Sequence, residues 1–276
     1  MTRDTDLKNA PHTSVRPRFE PSISLFGLNI AAVPFDTAVD VLAQAAAQRD
    51  GRARIVVTPN VDHIVRLDKQ PEFKQQYREA DYLFADGMPI IWASRLFGMP
   101  LPGRVTGADL LPALCDRVRA SGRRAVFVGG RPGQEAQLTE GLSQRFPGLD
   151  FTLMVPSMTF DPTGPEGEEI AQRVRAAAPD LVFVCLGMPK QERWAMAYAG
   201  TMPGGLILCV GAAIEFAAGM QKRAPRWMQR TGLEWVFRIM QDPGRMWRRY
   251  LVDDRRFIGI CWRQWRSFAR EGRPSA

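Results

Sequence analysis

The chain has 276 residues, of which 45% are hydrophobic and 24% are charged; this suits one large folded domain, or a domain with an appendage, and argues against a disordered protein. The net charge of +8 is uneven, because the residues from Lys222 onward carry 14 Lys and Arg against 5 Asp and Glu. Four widely spaced cysteines without a CxxC pair, and only two histidines, exclude the usual structural zinc sites and favour reduced thiols in a cytosolic protein.

The chain opens with a polar, proline-containing segment, residues 1–22, which lacks the apolar stretch of a signal peptide and predicts a disordered tail. Residues 23–33, with Gly27 at their centre, predict a hairpin. Short apolar runs then alternate with helical patterns. The predicted strands are 53–58, 82–85, 124–129, 151–155, 181–187 and 205–211, and the predicted helices are 36–49, 60–80, 107–121, 133–146, 166–177 and 189–199. This alternation predicts an α/β, Rossmann-like core over residues 23–221, with a largely parallel sheet flanked by helices.

Residues 222–276 differ from the core and predict a helical appendage rich in Arg and Trp. The apolar stretch before it, 203–220, is interrupted by Glu215 and fits a buried strand better than a membrane span. Near the end, six apolar residues fall at helical spacing on one face: Phe257, Ile258, Cys261, Trp262, Trp265 and Phe268. That pattern favours an interfacial helix on anionic lipid, and the alternative is a helix packed on the core with a solvated basic face.

Polar residues follow the predicted strands where an open α/β sheet binds its ligands. They are Thr58 and Asn60, Asp86, Gly129 and Gly130, Gly187 with Lys190 and Gln191, and Glu215. Each has an ordinary structural interpretation as well. The Gly129–Gly130 turn suits a phosphate at a helix N-terminus or a tight connection. Asp86 suits a general base, an Asp-Gly turn or a helix N-cap, and Asn60 suits a helix cap.

Arg104 and Lys190 stand beside predicted helix starts, where a cation can neutralise phosphate or form a surface ion pair. The DxD motif of metal-dependent nucleotide-sugar enzymes occurs here only as Asp4-Thr5-Asp6, in the predicted tail. We therefore expect neither a metal site nor a cofactor. The arginines would then have to serve as the cation for a diphosphate.

Taken in order, several segments resemble the bacterial WecG/TagA/CpsF glycosyltransferase family over residues 23–258. They are "TPNVDHIVRL", "ADGMPIIWASRLFG", "RVTGADL", "VFVGGRPG", "LVFVCLGMPKQERW" and the long block that begins "VGAAIEFAAGMQKRAPRWMQRTGLEW". The resemblance implies an inverting, metal-independent transferase with a UDP-sugar donor. Its acceptor would be a sugar on undecaprenyl diphosphate at the cytoplasmic face of the inner membrane, and the group transferred would be N-acetylmannosamine, its uronate or glucose.

The resemblance also assigns roles to residues. Asp86 matches the catalytic base, Thr58 lies beside the reacting sugar with Asn60 as its neighbour, and Arg104 and Gln191 steady the donor. The glycine turns at 129–130 and 187 would face the nucleotide. Glu215 stands where the family often has aspartate and would bind ribose or uracil. The appendage would close over the site and add Arg238, Arg245 and Arg248.

Two alternatives remain from the sequence alone. Basic and aromatic residues also serve nucleic-acid binding, although here the aromatic residues follow a helical stripe and the polar strand ends would go unused. An inactive family member is the other alternative, against which Thr58, Asp86 and Arg104 argue. We expect a UDP-sugar, a polyprenyl-diphosphate-linked sugar and an anionic membrane surface as partners, no nucleic acid, and a peripheral protein; a homo-oligomer is compatible with the sequence.

Overall fold

A computed structural model of the protein describes residues 19–248 and 252–271, except the side chains of Arg245 and Glu271. The described part begins with an antiparallel hairpin, β1 (Ser22–Leu25) and β2 (Leu28–Ala31). Phe26 and Gly27 form its turn with φ values of 55° and 71°, a left-handed conformation that glycine adopts easily. The predicted hairpin is confirmed. Most of the predicted tail, residues 1–18, lies outside the described residues.

A six-stranded sheet forms the centre of the core. Its strands are β3 (Arg54–Val57), β4 (Tyr82–Leu83), β5 (Arg124–Gly129), β6 (Asp150–Met154), β7 (Leu181–Cys185) and β8 (Leu206–Cys209). Their order is β4-β3-β8-β7-β5-β6, and every pairing is parallel. The predicted Rossmann-like α/β fold is therefore confirmed, and all six carboxyl ends lie at one edge of the sheet.

The helices up to residue 221 are α1 (Phe35–Ala46), α2 (Val61–Lys69), α3 (Pro71–Tyr77), α4 (Met88–Leu96), α5 (Gly107–Ala120), α6 (Glu135–Arg145), α7 (Pro165–Ala177), α8 (Lys190–Tyr198) and α9 (Ala213–Ala217). The prediction of one helix over 60–80 is wrong: it divides at Gln70, because Pro71 disfavours a helical conformation in the residue before it. Helix α4 was not predicted, since the Asp-Gly-Met-Pro sequence at its start is typical of a turn.

The sheet separates two apolar layers, because alternate residues of each strand point to opposite faces. In β7, Val182 and Val184 contribute to one layer, and Leu181 and Phe183 to the other. Helices α2, α3, α4, α7 and α8 cover the first face, and α1, α5, α6 and α9 cover the second. The fully buried strands explain why their sequences are continuous apolar runs instead of alternating ones.

The C-terminal segment contains α10 (Arg226–Arg230), α11 (Glu234–Gln241), α12 (Pro243–Arg248) and α13 (Arg256–Glu271). We call it the appendage. Helix α13 packs on the hairpin and α2: the Phe257 and Phe26 rings lie 5.1 Å apart, and the Phe26 amide donates to Gln264. Phe257 and Ile260 belong to the first apolar layer, so the appendage shares the core's packing. The domain boundary near residue 222 stays a prediction.

The apolar residues of α13 do not form the single face that their spacing predicted. Phe257 and Phe268 pack against the core, whereas Ile258, Trp262 and Trp265 are 74%, 58% and 46% exposed. The stripe is wide enough to divide, because neighbouring residues such as Phe257 and Ile258 are about 100° apart around a helix. The Trp262 and Trp265 rings stack on each other at 5.2 Å on the solvent side. In residues 19–248 and 252–271, no helix combines the length and apolar character that crossing a membrane requires.

Candidate active site

A cleft of about 1380 Å³ lies at the carboxyl ends of β3, β4, β7 and β8. Its walls come from both the core and the appendage. Nine of the predicted site residues line it: Thr58, Asn60, Asp86, Arg104, Gly187, Gln191, Glu215, Arg238 and Arg248. The parallel sheet explains this convergence, since residues distant in sequence follow neighbouring strands.

Asp86 follows β4 and lines the cleft. Its backbone N–H donates to Pro59 O at 2.9 Å, which fixes the loop after β4 against the loop after β3. Gly87, with φ of 119°, then turns the chain into α4. Burial, and secondarily the negative charge of Glu234, raises the pKa of Asp86 to about 6, although Arg238, Arg104 and Arg223 oppose the shift. A carboxylate with this pKa is largely ionised at neutral pH and accepts a proton more readily than an ordinary aspartate.

Arginines from the core and the appendage meet beside Asp86 at one carboxylate, that of Glu234. Arg104 Nη1 lies 2.9 Å from Glu234 Oε2, and Arg238 Nη2 lies 3.3 Å from Oε1. Arg223 Nε lies 3.9 Å from the same Oε1 and is buried without a hydrogen-bond partner. Arg104 and Arg238 line the cleft and form a cationic surface of the kind that binds phosphate oxygens, and Arg223 lies against Glu234 outside the cleft lining.

The cationic surface is anchored to α5. Arg223 pairs with Asp109 and also donates to Thr106, which caps α5 by accepting from the Asp109 amide. Burial acts to raise the pKa of Asp109, but its bonds to Arg223 and Thr106 prevail and lower that pKa. Asp109 therefore stays ionised and holds Arg223 in place.

Gln191 is buried at the start of α8, below the cleft. Its Oε1 accepts from the amides of Gly187 at 3.2 Å and Gly211 at 2.9 Å, and its Nε2 donates to the buried Glu192 at 2.8 Å. Gln191 therefore joins the loops after β7 and β8. These bonds occupy the Gln191 amide, so the geometry favours positioning of the loops over direct contact with a donor.

Thr58 and Asn60 follow β3. Thr58 is 5% exposed and lines the cleft. Asn60 caps α2, because its side chain accepts from the His63 amide at 3.1 Å, so the capping interpretation is correct and the residue also borders the cleft. His63 is buried, with Nδ1 3.0 Å from the Tyr77 hydroxyl.

A second, smaller cavity of about 220 Å³ adjoins the ends of β5 and β7. Gly130 and Lys190 line it together with Glu215, which also borders the main cleft. Gly129 lines neither cavity: a Cβ there would lie 2.6 Å from Cys185 O, so this glycine allows β5 and β7 to pack closely. Tight packing thus accounts for Gly129, while Gly130 and Lys190 remain available to a ligand.

Two further arginines of the appendage, Arg245 and Arg248, were predicted to belong to the site. Arg248, at the end of α12, lines the cleft. The side chain of Arg245 lies outside the described residues. Within the described ranges, no three His, Cys, Asp or Glu side chains are grouped as a metal ion requires.

The sequence model described as "Glycosyl transferase WecG/TagA/CpsF family" matches residues 23–271. The chain belongs to this family. It is therefore an enzyme, a glycosyltransferase, and the cleft at the carboxyl ends of its strands is the candidate active site.

Curated relatives of this WecG/TagA/CpsF member carry a more specific name, N-acetylglucosaminyldiphosphoundecaprenol N-acetyl-beta-D-mannosaminyltransferase. The protein of that name from Bacillus spizizenii strain W23 is 30% identical over 200 residues, which cover 72% of this chain and 76% of the relative. The one from Staphylococcus aureus strain MW2 is 26% identical over 221 residues, covering 78% and 85%. The similarity extends over most of each chain.

Sequence reasoning missed two cleft residues of this WecG/TagA/CpsF transferase, Gln229 and Glu234, and it missed Arg223, which lies against Glu234. Gln229 Oε1 accepts from Arg104 Nη2 at 2.7 Å, so it assists Glu234 in holding that arginine. All three lie in the quoted block "MQKRAPRWMQRTGLEW". The sequence predicted site roles only for cationic residues of the appendage. In the structure, an acid of the same segment, Glu234, pairs with Arg104 and Arg238.

Proposed function

We propose that this transferase moves a hexose or N-acetylhexosamine from a UDP-sugar to a sugar linked to undecaprenyl diphosphate, with inversion and without a metal ion. The names of the relatives favour N-acetylmannosamine as the group and diphospholipid-linked N-acetylglucosamine as the acceptor. Their printed β linkage agrees with inversion of an α-linked donor. The product would serve the synthesis of a cell-surface polysaccharide.

The observation that carries this proposal is that Asp86 shares one cleft with the guanidiniums of Arg104 and Arg238, which Glu234 holds together. In a single displacement, Asp86 takes the proton of the acceptor hydroxyl while that oxygen attacks the anomeric carbon. The bond from the anomeric carbon to the diphosphate breaks, and its electron pair goes to the departing UDP oxygen. One carboxylate suffices for this route.

The arginines stabilise the charge that develops on the leaving group. Guanidiniums bind phosphate oxygens bidentately and keep their charge at any physiological pH. Because Arg104 belongs to the core and Arg238 to the appendage, both parts of the chain contribute to the site. The catalytic residues in this proposal are Asp86, Thr58 and Arg104. Gln191 positions the loops after β7 and β8, and substrate is bound by the other predicted residues that line the cleft: Asn60, Gly187, Glu215, Arg238 and Arg248.

The test replaces Asp86 by Asn, which keeps the shape of the side chain and removes its basicity. We expect turnover on a short-chain polyprenyl-diphosphate N-acetylglucosamine to fall about 10²–10⁴-fold, the usual contribution of a general base. Binding of UDP, measured by calorimetry, should persist. Asp116→Asn on α5, which pairs with surface arginines outside the cleft, is the matched control. Near-normal turnover in Asp86→Asn would refute the base assignment.

We also propose that the enzyme works on an anionic membrane surface at the cytoplasmic face. The lipid acceptor requires access to a membrane, and the appendage exposes Trp262 and Trp265 beside basic residues. Tryptophan favours the boundary between headgroups and acyl chains, and Arg is attracted to anionic lipid. The exposed side of α13 would therefore face the bilayer while its other side stays packed on the core.

A further inference from the structure

Glu234 is the first residue of α11 and reaches into the cleft from the appendage. Its two carboxylate oxygens divide the arginines between them: Oε2 pairs with Arg104, and Oε1 faces Arg238 and Arg223. The Glu234 side chain is only 19% exposed. Three cations therefore share one partly buried acid, in which both oxygens are used.

Arg104 depends on the appendage for its position. It lies in the loop before α5, yet its two terminal nitrogens bond to Glu234 and Gln229, which are more than 120 residues away in sequence. Without the charge of Glu234, the guanidiniums of Arg104, Arg223 and Arg238 would repel one another at close range. The carboxylate of Glu234 therefore lets Arg104 and Arg238 lie together before a diphosphate binds, while Asp109 is the main partner of Arg223.

We propose that Glu234 is a positioning residue for sugar transfer: it fixes the guanidiniums of Arg104 and Arg238 and supplies the negative charge that faces Asp86. This inference rests on the proposed role of Asp86 as the base. It gives the appendage a second task besides delivering cations, namely to place an acid that completes the electrostatic surroundings of the reaction.

The charges around Asp86 determine the direction in which its pKa should shift when Glu234 is replaced. Burial raises the pKa of Asp86 most, Glu234 raises it further, and Arg238, Arg104 and Arg223 lower it; from α3, the buried Tyr77 hydroxyl also senses the charge of Asp86. The base works ionised, so kcat/KM should decline as the pH falls through about 6. Removing the charge of Glu234 leaves the arginines less opposed, lowers the pKa of Asp86 and moves this decline to lower pH.

The experiment records kcat/KM against pH for the full-length chain with a short-chain lipid acceptor. We call the decline of kcat/KM at low pH the acidic limb. Glu234→Gln should shift this acidic limb to lower pH. It should also raise KM for the donor, because Arg104 and Arg238 are held less firmly. Glu234→Asp keeps the charge and should leave the limb in place, with kcat/KM reduced about tenfold because the shorter side chain cannot reach both arginines at once. Glu169→Gln, on the exposed side of α7, makes the same change in net charge outside the cleft and should alter neither.

A merely structural role for Glu234 would reduce activity without moving the limb. The inference is overturned by a folded Glu234→Gln enzyme with the wild-type limb, or by Glu234→Asp with wild-type kcat and KM; the second criterion decides the matter if the Gln variant does not fold. Failure of the proposed function looks different. The wild-type enzyme would then lack the limb near pH 6, or Asp86→Asn would keep both the limb and its turnover.

Discussion

Asp86→Asn should make the protein more stable while it removes activity. The ordinary pKa of this carboxyl is 3.8, and its surroundings raise it to about 6. An acid whose pKa is higher in the folded than in the unfolded state binds protons more tightly when folded. Folding therefore carries a penalty for ionising Asp86, which is complete above pH 6, shrinks as the pH falls between the two pKa values, and is absent below the unfolded value.

The size of the effect follows from the two pKa values. At about 1.4 kcal/mol for each pKa unit, the difference between 3.8 and about 6 corresponds to an increase of about 3 kcal/mol in the free energy of unfolding of Asp86→Asn at pH 7.5. At pH 5 only about half of that difference should remain, since wild-type Asp86 is by then largely protonated when folded. An asparagine carries no such dependence.

Urea unfolding followed by circular dichroism, at pH 7.5 and pH 5, measures both quantities. Asp116→Asn, the matched control on α5, should change the free energy of unfolding by no more than about 0.5 kcal/mol, as is usual for a surface pair. The reasoning is refuted if Asp86→Asn is no more stable than the wild type at pH 7.5. It is refuted equally if the gain in stability is the same at both pH values.

Three further predictions concern the membrane, the appendage and the floor of the cleft. Replacing Trp262 and Trp265 together by Ala should weaken sedimentation with phosphatidylglycerol vesicles about tenfold or more, because both indoles lose their apolar contact with lipid. Gly232→Ala should destabilise the α10–α11 turn by about 1–2 kcal/mol and speed proteolysis of the appendage, because φ is +76° there and the new Cβ would lie 2.7 Å from Trp92 Cη2. Gln191→Met should raise KM for the donor about tenfold, because the amides of Gly187 and Gly211 lose their acceptor.

Each of these predictions has a control in the chain. Met158 is exposed on the core outside the appendage, so Met158→Ala should leave vesicle binding unchanged. Gly244 lies in α12, where an added Cβ would meet no neighbouring atom within 4 Å, so Gly244→Ala should not speed proteolysis. Gln172 is exposed on α7, so Gln172→Met should leave KM unchanged. A variant that behaves like its control would contradict the corresponding prediction.

Much of the core could be predicted because its strands are buried on both faces and its loops are marked by glycine and proline. The continuous apolar runs around Val126 and Val182 identified β5 and β7 within one or two residues. Helix boundaries were harder to predict near proline, because proline can end one helix or stand in the first turn of the next. Pro71 begins α3 and thereby ends α2, whereas Pro89 stands in the first turn of a helix that looked like a turn.

The candidate site could be predicted only in part, because sequence order shows which residues follow strands but not what each of them touches. Asp86 and Thr58 lie in the cleft as their positions after β4 and β3 implied. Gln191 also borders it, but its amide is occupied by backbone N–H groups, which no local pattern reveals. Glu234 was missed for the same reason: its meaning depends on Arg104, 130 residues earlier in the chain.

The position of β8 has a consequence for how the protein is made. This strand is the last of the six in sequence, yet it lies in the middle of the sheet, between β3 and β7. During translation, β3 therefore cannot pair with β8 until residue 209 has left the ribosome. Such long-range pairing slows folding. Nascent chains shorter than this expose two unfinished sheet edges, so they depend on chaperones more than a chain cut after the sheet is complete.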